Sequence, residues 1–203
     1  MDFFRPRSRA PRSSKVIEGA VPKKSSADVG TLYHRFLERV SFDKLGGVEN
    51  LRAEAERMAA EGILSAEEVG WLNFDSLLKF WQSDIGKCIQ ANRQNVRREL
   101  AFTARFSPME LPGELNAAPE MENEFVVVQG VADVAVMLSK EIWLLDFKTD
   151  RVSADDIRIK TTMYQPQLNL YARALERIYC KPVTECWLHF LAPGMTVPVR
   201  LKP

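Results

Sequence analysis

Residues 125–148 read FVVVQGVADVAVMLSKEIWLLDFK. The first part, 125–138, is rich in β-branched residues and reads as a long strand, and 141–148 reads as a second. Ser139-Lys140 between them suits a tight hairpin, although neither residue is glycine or asparagine, so the turn type stays open. With a two-residue loop Leu138 pairs with Glu141, and the same register sets Asp133 directly opposite Asp146. Their Cβ atoms would then be roughly 4.5–5.5 Å apart. Strand side chains repeat every two residues, so Lys148 shares a face with Asp146 while Phe147 points to the other side, into the core. Two facing carboxylates repel and need a shared proton or a cation. Hard oxygen ligands in a site open to water favour Mg²⁺ or Mn²⁺ over Zn²⁺. Lys148 would neutralise charge on an attacking hydroxide or on phosphate oxygens. The plainer reading is a sheet-edge salt bridge between Lys148 and Asp146 with Asp133 at a bulge, and spacing alone leaves both open.

Outward from this hairpin, 97–106 (RRELAFTARF) alternates and reads as a strand, and 107–124, with three prolines, reads as a surface loop. Asp28 reads as the N-cap of a helix to about Val40, with Leu32, Phe36, Leu37 and Val40 as its buried stripe. Helical periodicity also marks 48–61, 65–82 and 84–96, and Ser65 with Glu68 forms a capping-box signature. Residues 161–179 read as a helix in which Pro166 is tolerable only in the first turn. Strands follow at 184–191 and 196–201. This order predicts an α/β sandwich around a mixed sheet flanked by helices, with a helical insertion at 48–96 after the first helix. Residues 1–26, with seven Lys/Arg against Asp2 and Glu18, read as a flexible basic arm or linker, leaving 27–203 as the domain.

Composition sets bounds. An apolar fraction of 46% supplies a real core. No stretch reaches the roughly 18 apolar residues of a membrane span, and the N-terminus lacks the apolar run of a secretory signal. Cys88, Cys180 and Cys186 show no CxxC spacing, against a disulfide framework or a four-thiolate metal site, and a reducing cytoplasm is the expected compartment. No GxGxxG follows a strand and no GxxxxGK[ST] is present, so neither a Rossmann fold nor a P-loop motor is expected. The 28 basic and 27 acidic residues nearly cancel. Lys87, Arg93, Arg97, Arg98 and Arg105 cluster in 87–105 and could meet phosphates, or simply form a solvated face.

Four motifs then converge: Gly30-Thr-Leu-Tyr-His34, Gln129-Gly-Val-Ala-Asp133, Asp146-Phe-Lys148-Thr-Asp150, and Tyr164-Gln-Pro-Gln167-Leu-Asn-Leu-Tyr171. Together they resemble the PD-(D/E)XK nucleases of the RecB type, and in particular the C-terminal nuclease domain of AddA-type helicase-nucleases, over about 28–200. The resemblance implies a restriction-endonuclease-like fold. It implies a metal site of His34, Asp133, Asp146 and the Phe147 main-chain carbonyl, with Asp133, Asp146, Lys148 and Gln167 in catalysis. Tyr164, Gln167, Tyr171 and Arg98 would meet substrate, and Glu99 matches an acidic position on the first strand. From the residues alone, a lone helix histidine such as His34 reads more often as structural or surface. Tyr164, Gln167 and Tyr171, at i, i+3 and i+7, read more often as one semi-buried amphipathic helix face.

The resemblance further implies a bacterial, cytoplasmic Mg²⁺- or Mn²⁺-dependent deoxyribonuclease. It would hydrolyse phosphodiester bonds as an exonuclease on DNA ends or single strands, in double-strand-break repair with a superfamily-1 helicase in cis or in trans. With three scattered cysteines, no iron–sulfur cluster is expected. The rivals are a catalytically silent DNA-binding module, a structural subunit of a helicase-nuclease complex, and a metal-dependent hydrolase of another substrate.

Overall fold

The computed structural model describes residues 25–110, 124–150, 152–153 and 155–201. Most of the expected basic arm and of the 107–124 loop lies outside these residues. The chain folds as α1 (Ser26–Arg39), α2 (Val48–Ala60), α3 (Ala66–Val69), α4 (Phe74–Gln82), α5 (Asp84–Ala91), β1 (Val96–Phe106), β2 (Val126–Met137), β3 (Ile142–Lys148), α6 (Asp156–Tyr179), β4 (Val183–Phe190) and β5 (Met195–Pro198). The five strands form one sheet in the order β1-β2-β3-β4-β5. Among the described residues only β3 and β4 run parallel, joined by the α6 crossover, so the sheet is mixed.

Both faces of the sheet are covered. Leu32, Phe36, Leu51, Met58, Leu77 and Phe80 of α1, α2 and α4 pack with Val134, Val136, Leu145 and Phe147 on one side. Leu168, Ala172 and Leu175 of α6 pack with Phe102, Ala104, Ala132, Leu144 and Leu188 on the other. Burial on both faces explains why β3 is a near-continuous apolar run rather than an alternating one. Ala132 and Val134 are both even-numbered yet belong to opposite cores, so β2 switches faces between them. β1 switches at the facing position, where Glu99 adopts φ +46°. That left-handed backbone is uncommon outside glycine and stores strain of about 1 kcal/mol or more.

Several local expectations shift. The N-cap of α1 is Ser25, and Asp28 is the third residue of a capping box, its carboxylate accepting from the Ser25 N–H at 3.1 Å. The expected helix at 65–82 is two helices. Its capping box at Ser65 and Glu68 forms, but Asn73 caps a new helix by accepting from the Ser76 N–H at 3.0 Å. The helix expected from residue 84 to 96 ends at Ala91, followed by a 3-10 turn at Arg93–Asn95. α6 begins five residues before position 161, so Pro166 lies inside it rather than in its first turn. Ser153 secures the early start, its hydroxyl accepting from the Asp156 N–H at 3.2 Å and donating to the Asp156 carboxylate at 2.7 Å. Proline has no N–H, so the Thr162 carbonyl loses its helical partner.

His189 of β4 is a core residue. It is 1% exposed, its ring lies 4.5 Å from that of Phe80, and Nδ1 pairs with the Thr196 hydroxyl at 2.8 Å. Burial pushes it down to about 4. A base that titrates lower when folded contributes stability above its unfolded pKa, near 6.5, and loses it as pH falls toward 4. Thermal midpoints of the wild type are therefore expected to fall between pH 6.5 and 4 more steeply than those of His189→Gln. Parallel curves would remove His189 from the acid response.

Candidate metal centre

The switch in β1 and β2 sets the site. It lets α1, from one helical layer, and α6, from the other, approach the same place on the sheet. The β2–β3 ladder runs from Met137–Ile142 to Val134–Leu145, and the next step along it brings Asp133 beside Asp146. In β1 the flanking pairs Arg98–Val134 and Leu100–Ala132 put Glu99 beside Asp133 from the other side. Three acidic residues therefore lie in one row across three strands.

His34 reaches that row from α1. Its Nδ1 lies 3.1 Å from Asp133 Oδ1 and 3.3 Å from Glu99 Oε1. Gly30, one turn earlier, lets the helix come close. A Cβ there would sit 3.3 Å from the Thr149 hydroxyl just past the end of β3. Asp133 uses its second oxygen to accept from the Phe147 N–H at 2.6 Å, which locks the carboxylate to β3. His34, Glu99 and Asp133 offer ligand atoms all within 4.8 Å of one another.

Exposure divides the site. The His34 and Glu99 side chains are 32% and 29% exposed, whereas Asp133 is 8% and Asp146 5%. Hydrogen bonding to Asp133 and then to Glu99 raises His34 to about 10, so the imidazolium is the cation these carboxylates draw. Burial, and then the charge on Asp133, push Asp146 up to about 6 against the pull of Lys148. Lys148 Nζ lies 2.8 Å from Asp146 Oδ2 as an ion pair without hydrogen-bond geometry, leaving that buried oxygen with no hydrogen-bond donor. A crowded row of carboxylates, one with an under-satisfied oxygen, beside an imidazole is a donor set suited to a hard divalent cation.

The lysine is placed by α6. Its ammonium donates to Gln167 Oε1 at 3.5 Å and lies 4.3 Å from the centre of the Tyr164 ring. Gln167 is in turn fixed by donating to the Tyr171 hydroxyl at 3.1 Å, and Tyr171 meets Phe102 edge-on. Gly130 makes room for this stack, since a Cβ there would lie 2.6 Å from Phe102 and 2.8 Å from Tyr171.

The sequence pattern of the PD-(D/E)XK nuclease superfamily matches residues 8–196. The chain belongs to that superfamily. An ATP-dependent helicase/nuclease subunit from Carboxydothermus hydrogenoformans is 33% identical over 165 residues, 81% of this chain and 14% of that protein. The helicase/nuclease of the same name from Clostridium acetobutylicum is 29% identical over 183 residues, 89% of this chain and 14% of that protein. That of Enterococcus faecalis is 27% identical over 199 residues, 92% of this chain and 16% of that protein. The chain thus spans 14–16% of the length of these relatives.

Within this PD-(D/E)XK domain one expected residue lies elsewhere. Arg98, expected to meet substrate, is drawn to the end of α1, where its guanidinium donates to the carbonyls of Glu38 at 3.2 Å and Val40 at 2.5 Å and stacks over Phe42 at 4.0 Å. The carbonyls at a helix C-terminus carry partial negative charge, which explains the attraction. These contacts tie the end of α1 to β1. Other cations of the 87–105 cluster are also engaged internally: Arg93 with Asp43 at 2.7 Å, and Arg105 over the Phe125 ring at 3.9 Å. Glu99, which sequence reasoning tied only loosely to the site, stands within reach of His34. The signal for it was the β1–β2 register, hidden because no tight turn joins those strands. Among the described residues, no helix is long and apolar enough to cross a membrane.

Proposed function

We propose that this domain is a divalent-metal-dependent deoxyribonuclease, with Mg²⁺ or Mn²⁺ held by His34, Asp133, Asp146 and the Phe147 main-chain carbonyl, and with Glu99 as a further ligand. The observation that carries the reading is the convergence of His34, Glu99 and Asp133 on one point, beside the Asp146–Lys148 pair. When bound, the ion supplies Lewis-acid polarisation of the phosphate and a lowered pKa for water. Lys148 stabilises the negative charge that develops on the phosphate oxygens, and its ion pair with Asp146 keeps the ammonium at the mouth of the site. Gln167 and Tyr164 fix where that charge sits. Asp133, tied to the Phe147 N–H, gives the site a rigid carboxylate.

The relatives' name, helicase/nuclease, supports a nucleic acid as the substrate and a helicase as the partner, in cis or in trans, and the resemblance to RecB-type domains points to DNA. The resemblance to RecB-type domains supports an exonuclease on DNA ends or single strands in double-strand-break repair. The basic segment before α1 would join the domain to that partner, and the helices α2 to α5 would be an insertion into the nuclease fold. The test is cleavage of end-labelled single- and double-stranded DNA with Mg²⁺, with Mn²⁺ and with EDTA. Cleavage with either ion and none with EDTA is expected. No cleavage with either ion, or undiminished cleavage in EDTA, overturns the reading.

A further inference from the structure

Asp150 lies two residues beyond Lys148, just past the end of β3. Its carboxylate is fully engaged by α6. Oδ1 accepts from Lys160 Nζ at 2.8 Å, and Oδ2 accepts from the Tyr164 hydroxyl at 2.8 Å. Lys160 and Tyr164 are one helical turn apart, so a single carboxylate clamps one stripe of the helix.

The clamp sits where α6 needs it. Pro166 removes a backbone hydrogen bond two residues past Tyr164, so the first ten residues of the helix are less firmly tied to the remainder. Tyr164 is in that first part, and its ring lies 4.3 Å from the Lys148 ammonium. Gln167, the other neighbour of Lys148 on α6, lies just beyond the proline. The tyrosine is held by its hydroxyl, and burial and the Asp150 carboxylate push that phenol up to about 12, so it stays a neutral donor.

We propose that Asp150 is a positioning residue for Lys148. By holding Lys160 and Tyr164 it sets the start of α6, and the Tyr164 ring then fixes the ammonium beside Asp146. This rests on the nuclease reading above for its kinetic consequence, but not for its structural one. Asp150 touches neither the carboxylate row nor His34 among its recorded contacts.

Two measurements test it. In the full chain with Mn²⁺ and labelled DNA, Asp150→Ala is expected to lower kcat roughly 10- to 100-fold, because a misplacement of about 1 Å suffices for that loss. KM should change less than about threefold, as the loss falls on the chemical step. Asp150→Asn, which keeps an oxygen acceptor for Tyr164, should recover part of kcat. Tyr164→Phe should match Asp150→Ala in direction, and the double variant should be no slower than the slower single one. Separately, the ε-methylene protons of Lys148 should show an upfield ring-current shift from Tyr164 in the metal-free protein, lost in Asp150→Ala and partly kept in Asp150→Asn. A wild-type shift that survives in Asp150→Ala, or single losses that multiply in the double variant, overturns the proposal. Absence of wild-type cleavage strikes the nuclease reading instead, and the Lys148 shift then decides for or against Asp150.

Discussion

Lys148→Ala and Asp146→Ala are each expected to slow DNA cleavage by about 100- to 1,000-fold, the loss typical of removing a charge aimed at the transition state. The two should differ in stability. Asp146 is buried beside Asp133, and burial and that neighbouring charge hold its titration at about 6. Removing it from the metal-free protein relieves a repulsion, so the thermal midpoint in EDTA should stay level or rise. Removing Lys148 leaves Asp146 with no ion-pair partner in a site that is 5% exposed on the Asp146 side. That midpoint should fall, because an uncompensated buried charge is destabilising. Rate assays with Mn²⁺ and melts in EDTA check both halves. Variants that cut as fast as wild type would end the enzyme reading, and equal midpoints would end the charge account.

Gly86→Ala is expected to destabilise the fold strongly, although it replaces glycine by a better helix former. Alanine at an ordinary helix position stabilises by about 1 kcal/mol relative to glycine. Here a Cβ would collide with the Phe80 carbonyl oxygen and lie 2.8 Å from the Trp81 Cα, both backbone atoms. The bend at Ser83 creates this closeness: its hydroxyl donates to the Phe80 carbonyl at 2.6 Å and accepts from the Gly86 N–H at 3.1 Å. Opening the α4–α5 corner would displace Phe80, whose ring meets Phe147, between Asp146 and Lys148, at 5.0 Å. Overpacking against backbone costs about 3 kcal/mol. For a chain of this size that lowers the melting midpoint by about 6–12 °C. Calorimetry checks it, and a midpoint equal to or above that of the wild type would refute the close-packed corner.

How much of this was legible depended on whether the deciding contact was local. The β2–β3 hairpin has a two-residue turn, so counting outward from Ser139-Lys140 gave a register that the structure shares along its four recorded pairs. The β1–β2 register cannot be counted in that way. Residues 107–125 separate the strands, and Glu99 could not be set beside Asp133 until the strands were paired. The capping box at Ser65 was plain from spacing, yet the end of α3 was not, because Asn73 competes for the chain by capping a new helix. Pro166 argued for a helix starting near residue 161. Ser153 and Asp156 outweighed that local signal by fixing an earlier start. Arg98 reads as a free cation in sequence, and only the placement of α1 shows that helix-end carbonyls claim it.

The central claim is that the carboxylate row and His34 hold a divalent cation. Anomalous diffraction from crystals soaked in Mn²⁺ tests it directly. One strong peak is expected within about 2.0–2.3 Å of His34, Asp133 and Asp146 ligand atoms, with Glu99 in or next to the coordination shell. A peak elsewhere, or His34 and the three carboxylates left in direct contact with one another under saturating Mn²⁺, would contradict the account.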